Sequence, residues 1–66
     1  MNDNKQTIAV AERLVSNVYQ DIATPEVVGM LLDIKQASKE GDLKPLLKAL
    51  RSIRRDIGEI INELKK

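Results

Sequence analysis

At 66 residues and 7.4 kDa, the chain has room for one domain at most. A chain this short buries only about 60% of the surface its unfolded form exposes, so a lone core is marginal and is usually reinforced by a disulfide, a metal, association or unusually regular helix packing. There is no cysteine and no histidine, which excludes disulfides and thiolate metal sites and removes the commonest general base and transition-metal ligand. The net charge of +1 conceals an asymmetry: residues 1–41 carry four basic and six acidic groups, residues 42–66 seven and four.

The first predicted helix runs from Lys5 to Ile22. Ile8, Ala11, Val15, Val18 and Ile22 recur at steps of three and four, which keeps them on one helical face, and Leu14 widens that stripe. Asp3 or Asn4 supplies the N-cap, with Asp3 and Gln6 as a loose capping box. Thr24-Pro25-Glu26 then marks a boundary. Thr24 is a good N-cap, Pro25 suits the first helical position, and Glu26 complements the positive end of the helix dipole. A kinked continuous helix is the alternative there.

The second helix is predicted over Pro25–Lys39. Val27, Val28, Met30, Leu31, Leu32 and Ile34 cover more than one face, so this helix must be buried on several sides. It either lies between its neighbours or faces both its own chain and a partner. Gly41 follows as a C-cap and Asp42 as the N-cap of the next helix.

The third helix is predicted over Leu43–Leu64. Leu43, Leu46, Leu50, Ile53, Ile57, Ile60 and Leu64 form an unbroken heptad seam, which Leu47 and Ile61 broaden. Pro45 falls in the first turn, where it costs no hydrogen bond. Gly58, a weak helix former, marks a candidate close approach of another backbone. The third helix should overhang the second, leaving Ile57, Ile60, Ile61 and Leu64 to be covered partly by helix one and partly by a second protomer.

The expected fold is therefore all-α: a short three-helix unit over residues 1–66, completed by homo-oligomerisation. The core is aliphatic, with Tyr19 the only aromatic residue, and aliphatic helical interfaces do not need rings. Leu46, Leu50, Ile53, Ile57, Ile60, Ile61, Leu64 and Leu31 are the candidate oligomer or partner interface.

No catalytic, cofactor or metal site is expected. Ser16, Ser38 and Ser52 have no histidine to activate them. Asp56, Glu59 and Glu63 share one flank of helix three and could touch a hard cation, but they read as a solvated edge near basic neighbours. Lys44, Lys48, Arg51 and Arg55 fall within about 60° of one another on the helical wheel, opposite the seam, with Arg54 beside them. They form a candidate surface for an anionic partner, although exposed helix faces are commonly Lys/Arg-rich and no aromatic residue is interleaved for base stacking.

A DNA-binding helix-turn-helix across Gly41 fits at Ala37, Gly41, Leu47 and Leu50. It fails at Gln36, Glu40 and Asp42, and Pro45 would fall in its recognition helix. No stretch is long and apolar enough for a membrane span, and the polar start, Met1–Gln6, lacks a signal-peptide core, so the expected location is cytoplasmic. The functional expectation is a small non-catalytic helical interaction protein (adaptor, regulator or inhibitor) acting as a homo-oligomer, with a dimer foremost and a protein partner unidentified. The alternative is a small nucleic-acid-binding regulator using the basic face.

Overall fold

A computed structural model of the chain describes residues 4–66, in which three α-helices follow one another: α1 (Asn4–Tyr19), α2 (Pro25–Lys39) and α3 (Lys44–Lys65). The all-α, three-helix expectation holds. Asn4 is already the first residue of α1. A cap at Asp3, and the capping box it would form with Gln6, lie outside the described residues.

Helix α1 ends at Tyr19, three residues before the predicted Ile22. Proline disfavours helical geometry at the residue before it, and Thr24 sits extended at φ −80°, ψ 153°. The chain leaves the helix through a turn in which the Ile22 N–H donates to the Tyr19 carbonyl at 3.0 Å. Pro25 therefore marks a full break rather than a kink. On its far side Thr24 caps α2 as predicted: its Oγ1 accepts the Val27 N–H at 3.2 Å and its carbonyl accepts the Val28 N–H at 3.0 Å.

The α2–α3 connection is equally well specified. Gly41 has φ +84°, a conformation that costs little only for glycine. It allows the Gly41 N–H to reach the Ser38 carbonyl and the Asp42 N–H to reach the Ala37 carbonyl, at 3.1 and 2.9 Å. This paired closure satisfies the last carbonyls of α2. Helix α3 begins one residue later than predicted, with Leu43 at the cap position and no side-chain cap bond there. Asp42 acts from one residue further back, its Oδ1 accepting the Lys44 N–H at 3.1 Å.

All three helices meet around a small core of Val15, Ile34, Leu46, Ala49 and Ile53, with Ile8, Ala11, Tyr19, Met30, Leu31, Leu43 and Leu50 packed against it. Helices α1 and α2 run antiparallel, because one shared groove pairs Lys5, Ile8 and Glu12 with Lys35, Ser38 and Lys39. A second groove pairs Ala9–Ser16 with Leu31–Lys35.

The inward face of α1 differs from the predicted stripe. It carries Ile8, Ala11, Val15 and Tyr19, while Val18 and Ile22 are exposed. Tyr19 supplies the one ring packed against an otherwise aliphatic core. Helix α2 does touch both neighbours. Even so, Val28 and Leu32 stay outside, Leu32 at 64% exposure.

Candidate functional site

The heptad seam of α3 divides at Ile53. Upstream, Leu46 and Ile53 are buried in the chain's own core, and Ala49, which is not part of the seam, is buried with them. Leu50 is partly buried against the same core, as is Leu31 of α2. Downstream, every residue from Arg54 to Lys66 is exposed. Ile57, Ile60, Ile61 and Leu64 are 49, 57, 46 and 80% exposed. The predicted overhang is therefore present, and α1 leaves these four side chains exposed.

A mismatch of lengths accounts for about half of this overhang. Helix α3 has 22 residues, about 33 Å, against 16 in α1 and 15 in α2. The last twelve residues of α3 thus project about 18 Å past the core. The shape of the molecule reflects this projection. Its radius of gyration is 13.3 Å, where a compact chain of this length has about 11 Å. It exposes 5553 Å², against about 4,200 Å² expected for a compact monomer of this mass.

On this projecting segment the apolar side chains lie on the same side of α3 as Leu46 and Ile53, so the bare surface continues the core-facing one. Asp56 and Glu63 border it on one edge, Arg54 and Lys65 on the other, each about 90° from its centre on the helical wheel. Asp56 pairs with Arg55 at 3.8 Å and Glu63 with Lys66 at 3.5 Å, all four side chains well exposed. Gly58 lies at the margin, and nothing in its own chain comes within 4 Å of where its Cβ would be. No backbone of this chain makes the close approach that Gly58 suggested.

The basic stripe stands away from the core. Lys44, Lys48, Arg51, Arg54 and Arg55 are all exposed. Among the described residues Arg55 alone of the five forms an ion pair. No aromatic side chain lies on this face. Asp56, Glu59 and Glu63 are separate, exposed side chains, and among the described residues no three acidic groups cluster as metal ligands would. No described helix is long and apolar enough to cross a membrane.

Two further apolar surfaces lie outside the seam of α3. Val10 and Leu14 of α1 form a shallow groove with Leu50 of α3 and Ala11, rimmed by Gln6 and Thr7. Leu32 lines the α1–α2 groove from its outer side. The i, i+4 spacing of Val10, Leu14 and Val18 was the signal for the first, masked by the neighbouring stripe that includes Val15. No protein-family model, curated protein sequence or solved structure matches the chain.

Proposed function

We propose that this is a small non-catalytic interaction protein, an adaptor, regulator or inhibitor that works as a homo-oligomer through helix-to-helix contact. The bare end of α3 is its working surface. One observation carries the reading: four large aliphatic side chains, Ile57, Ile60, Ile61 and Leu64, are 46–80% exposed on one side of an intact helix. Single exposed apolar residues are ordinary, whereas a contiguous set with charged margins marks a contact surface. The surface is a ridge with no enclosing walls, which suits pairing with another helix better than holding a small molecule.

Photo-crosslinking in the source cells tests this, with the reactive side chain placed at Ile61 or, as a control, at Lys48. Discrete protein adducts from position 61 and none from position 48 are expected, adducts with another copy of the chain included. Absence of protein adducts at position 61 overturns the reading.

A second reading is favoured by the exposed, largely unpaired stripe Lys44, Lys48, Arg51 and Arg55. Cations spaced along one helix can contact successive phosphates of a nucleic acid. Binding to a duplex would then weaken steeply with salt, and Lys48→Gln with Arg51→Gln would lower the logarithmic slope by about 2. Undetectable binding at about 50 mM salt removes this alternative.

A further inference from the structure

We infer that the partner on the bare end of α3 is a second copy of this chain, lying antiparallel, with Ile57 of one copy opposite Leu64 of the other and Ile60 opposite Ile61. The inference rests on the proposed function and specifies its occupant and geometry. Three observations lead to it.

The first is area. The whole chain exposes roughly 1,300 Å² more than a compact monomer of its mass. Ile57, Ile60, Ile61 and Leu64 contribute to that surplus together with Val10, Leu14, Val18, Val28 and Leu32, and a stable interface takes about 800 Å² from each partner. The second is charge. Arg54, Arg55, Lys65 and Lys66 are set against Asp56, Glu59 and Glu63 on the projecting segment, so it is close to neutral. A near-neutral segment does not repel its own copy, and it offers no single-signed field to attract a strongly charged partner. The third is spacing. Positions 57, 60, 61 and 64 are separated by three, one and three residues, a pattern that reads the same in both directions. Reversing one helix therefore still sets every apolar side chain against an apolar one.

A parallel pair would satisfy the spacing as well, but the fold excludes it. Helices α1 and α2 occupy the same side of α3 that bears the bare side chains, beginning one turn earlier at Ile53. Two parallel copies would bring both α1–α2 pairs into the same space. Antiparallel copies place them at opposite ends, and the two projecting segments overlap between them. The margins oppose this choice: antiparallel pairing sets Asp56 and Glu63 of one copy beside those of the other, and likewise Arg54 and Lys65. At exposed positions such repulsions are weak and screened, whereas overlap of whole helices is prohibitive. Salt should consequently tighten the pair slightly rather than loosen it.

The absence of cysteine from the sequence makes a direct test clean. The full chain is examined by sedimentation equilibrium across concentration, together with Ile60→Asp and, on the opposite face, Arg55→Asp. A dimer is expected for the wild type and for Arg55→Asp. Ile60→Asp should raise the dimer Kd at least 30-fold or so while circular dichroism shows the helices retained. Ile57→Cys chains, isotopically labelled, are then mixed with unlabelled Leu64→Cys chains and oxidised mildly. Disulfides joining the two variants should outnumber same-variant disulfides by about tenfold, a preference equivalent to one decade in effective concentration.

A wild-type chain that stays monomeric at millimolar concentration overturns self-pairing, while the crosslinking at position 61 still tests the broader reading. A dimer indifferent to Ile60→Asp overturns the surface. Same-variant disulfides at position 57 in excess overturn the antiparallel arrangement. Should Ile60→Asp lose its helices, the disulfide ratio decides alone.

Discussion

Ile53 and Ile60 are the same residue on the same side of α3, two turns apart, yet one is 5% and the other 57% exposed. Truncating each to alanine measures where the core ends. Ile53→Ala removes buried methyl groups from a site enclosed by Val15, Ile34, Leu46 and Ala49, and such truncations cost about 2–5 kcal/mol. A domain of this size has a total stability of only about 3–10 kcal/mol, so this variant should be largely unfolded or close to it.

Ile60→Ala removes the same atoms from a side chain already half in water. Three carbons at about 0.8 kcal/mol each, scaled to the buried fraction, give about 1 kcal/mol. Alanine's better helix propensity returns about 0.4 kcal/mol of that. The net loss in a monomer is then about 0.5 kcal/mol. Urea unfolding followed by far-ultraviolet circular dichroism, at several protein concentrations, reads both. The gap between the variants should be widest at low concentration and narrow as concentration rises, because Ile60 then enters the interface. Equal losses at the lowest concentration would refute the placement of the core boundary at Ile53.

Further substitutions probe the connections and the projecting helix. Gly58→Ala should stabilise the protein by about 1 kcal/mol, raising the Tm by several degrees, since open space surrounds the position; a lowered Tm would reveal a close neighbour there. Gly41→Ala forces a Cβ into a left-handed conformation at φ +84° and should cost about 1–2 kcal/mol in urea unfolding, even though it too meets no atom within 4 Å. Thr24→Ala should cost about 1 kcal/mol by removing the Oγ1 acceptor for Val27, and Thr24→Ser should restore most of it.

The local signals in the sequence proved the most legible. Thr24-Pro25 and Gly41-Asp42 act through one or two residues and their own backbone, so each can be recognised without knowledge of the rest of the fold. The α3 seam was legible as a periodicity, but not the point where it leaves the core. That point depends on where α1 and α2 pack against α3, which no periodicity within α3 records. On α1 the sequence places Ile8, Ala11 and Val15 inward as observed, but at the end of the helix Tyr19 takes the inward position in place of Val18. Only packing against Ile34 and Ile53 decides between them. The exposed basic stripe, by contrast, followed directly from its position opposite the seam.

The division of α3 at Ile53 also has a kinetic consequence. Upstream amides are held by tertiary packing and exchange with solvent only when the whole core opens. Downstream amides depend on helix propagation alone, which is close to neutral per residue in water. In the isolated chain the last three turns should therefore exchange quickly and expose the Arg54-Arg55 bond to trypsin. Once the segment is covered, the same turns should acquire slow exchange and resist cleavage. The protected length of α3 would then rise with protein concentration, so that one helix reports the state of assembly.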